Sequence, residues 1–198
     1  MQFYRKTSTK TKRLGVLAGG FNPPTVAHVA IVAAAQPHLD QVLCVVPRTF
    51  PHKRYFGATL EQRLEMLGSL KLAVPHSVAA TDQGLFIDIA RECREEFGDD
   101  TRLLFLCGRD AADRILSWDY GRAGVVEEML GQFELLVAER GGEFECPPGF
   151  EARAHLLKLA GEHNEVSSTE VRERISRGEA WESLVPEEIV NRVREIYS

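Results

Sequence analysis

Four cysteines are all that this 198-residue chain contains, and none forms a Cys-x-x-Cys pair or lies near a histidine at zinc-ligand spacing. A disulfide scaffold and a structural zinc are therefore not expected, and Cys44 and Cys107, in apolar runs, read as inert core residues. No stretch approaches the roughly 18 apolar residues of a membrane span, and the N-terminus lacks an apolar signal core. The chain is accordingly expected to be cytoplasmic, with no membrane partner. Basic charge is not in excess either: the formal net charge is −5, which gives no global reason to expect a nucleic-acid partner. Three anchors of common enzymes are also missing. There is no Gly-x-x-x-x-Gly-Lys-Ser/Thr loop, no Gly-x-Gly-x-x-Gly fingerprint and no Gly-x-Ser-x-Gly elbow, so kinase, dehydrogenase and hydrolase readings lack support.

What is present suits one sizeable core, since 44% of the residues are hydrophobic and the length is that of one domain. Strand-like apolar runs recur at residues 14–18, 41–46, 77–80, 102–106 and 133–138. Helical patterns separate them at 26–35, 59–70 and 86–97. Alternating strands and helices predict an α/β, doubly wound, Rossmann-like fold with a mainly parallel sheet. A Gly-, Glu- and Pro-rich surface loop is expected at 141–149, a short helix at 152–160, and C-terminal helices at 167–177 and 186–197. Arg5, Lys6, Lys10, Lys12 and Arg13 crowd the N-terminus among Ser and Thr. Residues 1–12 therefore read as a basic, solvated extension, and 13–198 as the single domain.

The most informative segment is Gly19-Gly20-Phe21-Asn22-Pro23-Pro24-Thr25-Val26-Ala27-His28, which joins the first apolar run to an Ala-rich helix. Such a strand-to-helix turn brings main-chain N–H groups and a helix N-terminus to one place, and both favour an anion. Thr25 and His28 are three apart and share the first turn of that helix.

Three further segments end or follow strands. Pro51-His52-Lys53 precedes the 59–70 helix, on which Arg63 lies. Gly108-Arg109-Asp110 follows the fourth strand, with Trp118 eight residues beyond Asp110. Asp110 suits a helix cap or an acceptor for sugar hydroxyls, and Trp118 suits a core position or a stacking platform. Ser167-Ser168-Thr169-Glu170-Val171-Arg172 has capping-box spacing between Ser167 and Glu170 and places Arg172 in the first turn of a helix.

Taken together, these motifs resemble the nucleotidylyltransferase superfamily, and within it the nicotinate/nicotinamide mononucleotide adenylyltransferase family. Gly-x-Phe-Asn-Pro-x-Thr-x-x-His is similar to the superfamily signature, with Thr25 where His is frequent, a variant that this family also uses. Ser-Ser-Thr-x-Val-Arg and the later Leu-Val-Pro-Glu-Glu-Ile resemble its C-terminal signature, so the likeness runs from about Leu14 to the C-terminus.

The resemblance implies adenylyl transfer from ATP, with Mg²⁺ arriving on ATP and no protein metal site, to nicotinate or nicotinamide mononucleotide. It assigns catalysis to His28, Thr25 and Arg172, and ATP binding to Gly19, Gly20, Phe21, Asn22, Ser167, Ser168 and Thr169. It assigns the mononucleotide to Lys53, Phe86, Ile87, Gly108, Arg109, Asp110 and Trp118, with Arg63 bracing the loop. Phe86-Ile87 stand where the nicotinate-specific branch commonly has Tyr-Thr, and Arg109 where a small residue is usual, so Arg109 is a candidate for the nicotinate carboxylate or a phosphate. Two alternatives stay open: a nucleotidylyltransferase for another phosphorylated acceptor, and an inactive nucleotide-binding regulator. Self-association is also left open.

Overall fold

The computed structural model describes residues 1–48, 57–117, 120–139, 144–159 and 166–197. Seven strands form one sheet: β1 (Gln2–Arg5), β2 (Arg13–Ala18), β3 (Gln41–Pro47), β4 (His76–Thr81), β5 (Arg102–Gly108), β6 (Glu134–Ala138) and β7 (Ala154–Leu157). The helices are α1 (Val26–Ala35), α2 (Leu60–Ser69), α3 (Phe86–Phe97), α4 (Arg109–Ser117), α5 (Val125–Gln132), α6 (Ser168–Arg177) and α7 (Val190–Tyr197). Among the described residues no helix is long and apolar enough to cross a membrane.

The strand order is β1-β4-β3-β2-β5-β6-β7, with every neighbour parallel except β1 against β4. Starting from β2 the chain steps outward through β3 to β4, then returns across β2 to β5 and steps the other way. The order therefore reverses between β2 and β5, and a crevice opens beyond their carboxyl ends, at Ala18 and Gly108.

Alternation along each strand explains why the sheet is covered on both faces. Leu17, Val42, Cys44, Val46, Leu104, Leu106 and Leu136 feed one apolar cluster, which α1, α2, α6 and α7 cover. Their strand neighbours Val16, Leu43, Val45, Leu103, Phe105, Cys107 and Leu135 feed the other, beneath α3, α4 and α5. Burial pushes the thiols of Cys44, Cys93 and Cys107 up to about 12, which keeps them protonated and unreactive.

Two expectations are corrected. The 152–160 stretch, read as helical, contains β7, which lies parallel to β6 with Ala154 and Leu157 buried. Four residues are too few to display a period, and pairing with the open edge of β6 decides the outcome. At the N-terminus, residues 2–5 are not a solvated lead-in but an antiparallel edge strand on β4. Phe3 packs edge-on to Phe97 at 6.2 Å, Lys6 lies over the Phe3 ring at 4.6 Å, and the terminal amine pairs with Glu92 at 3.1 Å. Residues 2–5 thus cover the edge of β4, which would otherwise be open.

Candidate active site

The turn between β2 and α1 lies at the switch point, and side chains from distant segments hold it by its carbonyls. Arg63 on α2 is 3% exposed, and its guanidinium donates to the carbonyls of Thr59 at 3.2 Å and Gly20 at 3.0 Å. Arg172 on α6 donates through Nη1 to the Asn22 carbonyl at 2.5 Å and to Ser168 at 3.0 Å, and through Nη2 to Thr169 Oγ1 at 3.3 Å. The Ser168 hydroxyl donates to the Pro23 carbonyl at 2.7 Å. The two motifs read as phosphate-binding are therefore in direct contact.

A planar trans peptide points its C=O and the following N–H in opposite directions. With the Gly20 carbonyl on Arg63, the Phe21 N–H points away from that guanidinium. Neither Gly19 nor Gly20 adopts positive φ; the left-handed conformation instead falls on Phe21, at φ 47°. Glycine at 19 and 20 is thus not required by backbone dihedral. The strained residue is one whose ring is 2% exposed and packs on His28 at 5.0 Å. The Asn22–Pro23 bond is cis.

Thr25 caps α1 and is fully buried. Its main-chain N–H donates to His28 Nδ1 at 3.0 Å, and its hydroxyl lies 2.8 Å from the same nitrogen. Since a main-chain N–H can only donate, Nδ1 is the acceptor, and the ring hydrogen falls on Nε2. The Thr25 hydroxyl therefore also donates to Nδ1, and it orients His28 from inside the protein. It does not line the crevice.

On α6, Ser167 accepts the Glu170 N–H at 3.1 Å. The return half of the expected capping box is replaced, because the Glu170 carboxylate pairs with Arg174 at 2.8 Å. On the β5 side, α4 starts at Arg109 directly after Gly108, so Asp110 lies within the first turn of the helix and its side chain is 80% exposed. Arg109 faces Asp110 at 3.6 Å and Asp113 at 4.0 Å.

The Phe86 ring stacks on Phe105 at 4.6 Å and meets Phe133 edge-on, and Ile87 packs against the same cluster, both residues staying partly exposed at the start of α3. The main-chain N–H groups of 86 and 87 stand at the open N-terminal end of α3. Lys53 and Trp118 lie outside the described residues. Tyr197 was not singled out from sequence, yet its hydroxyl donates to Asn22 Oδ1. The two are 175 positions apart, so no local pattern could have signalled the pair.

The family model described as cytidylyltransferase-like matches residues 16–174. A probable nicotinate-nucleotide adenylyltransferase of Gloeobacter violaceus is 31% identical, over 91% of this chain and 92% of its own length. One of Thermus thermophilus is 32% identical, over 88% and 92% respectively. In three dimensions the chain is similar to a Plasmodium falciparum nicotinic acid mononucleotide adenylyltransferase complexed with APC, with a TM-score of 0.66, covering 91% of this chain and 96% of that one. At 17% identity, that likeness speaks to the fold.

Proposed function

The chain belongs to the nicotinate-nucleotide adenylyltransferases of the cytidylyltransferase-like family, and we propose that it transfers the adenylyl group of ATP to nicotinate mononucleotide, a step of NAD biosynthesis. The observation that carries this reading is the docking of the Ser168–Arg172 helix onto the Gly19–Pro24 turn. It brings the N-termini of α1 and α6 together at the switch point of the sheet.

An oxygen of the mononucleotide phosphate attacks the α-phosphorus of ATP, the bond to the bridging oxygen breaks, and pyrophosphate leaves. The nucleophile is already ionised at neutral pH, so no general base is needed. The protein's tasks are to align two polyanions and to stabilise growing negative charge. His28 offers Nε2–H to that charge as a neutral donor, held in its tautomer by Thr25. Arg172 adds positive charge from the α6 side, beside the open N–H groups of a helix start that Ser167 caps. Gly19, Gly20, Phe21 and Asn22 line the ATP phosphates with main chain, and Ser167, Ser168 and Thr169 close over them.

On the acceptor side, Asp110 receives ribose hydroxyls, Lys53 meets the mononucleotide phosphate and Trp118 stacks on the pyridine ring. Gly108 lets the substrate approach the end of β5. The nicotinate carboxylate is met by Arg109, together with the N–H groups of residues 86 and 87 at the start of α3. Mg²⁺ travels on the triphosphate of ATP, where an octahedral ion keeps most of its water. Among the described residues, no three His, Cys, Asp or Glu side chains stand together to cage a metal ion.

The test is to incubate the protein with MgATP and nicotinate mononucleotide and measure dinucleotide and pyrophosphate, with CTP, phosphopantetheine and alcohol phosphates as parallel donors and acceptors. Equimolar dinucleotide and pyrophosphate with ATP and the pyridine mononucleotide is the expected result. Preference for another acceptor, or nucleotide binding without turnover, would overturn the reading.

A further inference from the structure

We infer that Tyr197, at the C-terminal end of α7, is a positioning residue that latches the phosphate turn to the entry of α2. Its hydroxyl donates to Asn22 Oδ1, which also accepts the Ala58 N–H at 3.2 Å. The Ala58 N–H can only donate, so the atom it meets is the amide oxygen, and the Tyr197 O–H must be a second donor to that oxygen. Burial pushes the phenol well above its usual range, against the opposing pull of the nearby Ala58 N–H, Arg172 and Arg63, and this keeps the donor proton in place at any working pH.

The fit is steric as well as polar. Gly57 has φ +97°, and a Cβ there would lie 2.8 Å from the Tyr197 ring and 3.2 Å from Asn22 Oδ1. The ring thus occupies the space that any other residue at 57 would fill. Asn22 is in turn held through its carbonyl by Arg172, so one residue joins α7, α6 and the Gly57-Ala58 approach to α2. Gly57 follows directly on the segment that carries Lys53, so the latch connects the chain on the acceptor side to the turn on the ATP side. Tyr197 touches neither substrate; it acts by fixing where the Phe21 N–H and the Asn22 main chain stand.

The inference rests on the adenylyl-transfer reading for its activity readout, and a second readout is independent of it. Tyr197→Phe keeps the ring and removes the donor. It should lower kcat about 5- to 10-fold, the effect of losing one aligned hydrogen bond, with little change in Tm. Amide hydrogen exchange at Phe21, Asn22 and Ala58 should accelerate about tenfold while the centres of β3 and β5 stay protected. In an Asn22→Ala background the same substitution should change kcat less than about twofold, because the partner is already gone.

Unchanged kcat and unchanged exchange at Ala58 would overturn the latch. So would effects that add in full in the double variant, or a fall in Tm with uniformly faster exchange, since these would mark a purely structural tyrosine. A wild-type protein that forms no dinucleotide would defeat the reading of function, and the exchange of Ala58 alone would then decide the latch.

Discussion

Substitution of Thr25 by valine separates a side chain that meets the substrate from one that aims its neighbour. The replacement is nearly isosteric at a fully buried position, keeps the main-chain N–H on His28 Nδ1, and removes only the hydroxyl 2.8 Å away. The tautomer is therefore retained and one of two restraints on the ring is lost. A hydrogen bond of this kind contributes ~1 kcal/mol, within about half a unit either way. At ~1.4 kcal/mol per decade, kcat should fall by roughly 2- to 10-fold. Loss of a Thr at an N-cap costs about another 1 kcal/mol of stability, or ~2–4 °C in Tm for a chain of this size.

His28→Ala removes the donor itself and should lower kcat by a factor on the order of 100. If His28 acts as a neutral Nε2–H donor, His28→Gln places an amide N–H near the same point and should recover about tenfold over alanine. Steady-state pyrophosphate release, with Tm from calorimetry, reads all three variants. Thr25→Val as inactive as His28→Ala would show that the hydroxyl meets substrate, and unchanged kcat would show that it aligns nothing. A glutamine no better than alanine would remove the neutral-donor mechanism.

Other regions give separate tests. Burial works to raise the Glu134 carboxyl, but hydrogen bonds from Arg102 at 2.8 and 2.6 Å and from His155 at 3.1 Å outweigh it and hold the group below its usual range. That stability is present above about pH 4.5 and is lost as pH falls through the lower folded value. Glu134→Gln should cost roughly 1–3 kcal/mol at pH 7 and flatten the acid limb of Tm, with kcat unchanged because the cluster lies at the amino end of β6, away from the crevice. For His76, burial pushes the imidazole down, Arg5 at 3.5 Å adds to this, and the Leu67 carbonyl at 3.1 Å opposes it. Its contribution is complete above about pH 6.5 and fades below, so His76→Gln should reduce the slope of Tm below about pH 6.5; an unaltered slope would refute the assignment. Arg109→Ala should reduce the preference for nicotinate over nicotinamide mononucleotide in kcat/KM by about tenfold, and unchanged discrimination would assign the carboxylate to the N–H groups of α3 alone.

The parallel core of the sheet was legible because its signals are local. Each of β2 to β6 is an apolar run long enough to stand out, and α1 and α3 have the spans that their periodicity predicts. The two edges were not legible. Gln2–Arg5 carries two charged or amide residues out of four, and Ala154–Leu157 has no alternation, so both become strands only because a neighbouring edge offers hydrogen bonds. Phe86 illustrates the same limit inside the site. Its place near the start of α3 follows from local pattern, but the direction of its ring is fixed by Phe105 and Phe133, which the sequence places 19 and 47 residues away.

In the site itself the residue types were legible, while their present partners were not. Arg172 and Ser168 were expected from sequence to bind an anion, and in the structure they donate to the carbonyls of Asn22 and Pro23, 150 and 145 residues away. These two roles support one another. A turn whose carbonyls are tied to Arg63, Arg172 and Ser168 is held against rotation of its peptides, so under the proposed function its N–H edges would be set before ATP arrives. Donors fixed in advance need no reorganisation as charge develops, which is where electrostatic catalysis gains most over water. The same bracing puts positive charge on one side of the turn and leaves the tautomer of His28 to be set from the other, by Thr25. The contacts that aim these groups join residues separated by most of the chain, so a local motif names the residue types and the folded structure supplies how they are aimed.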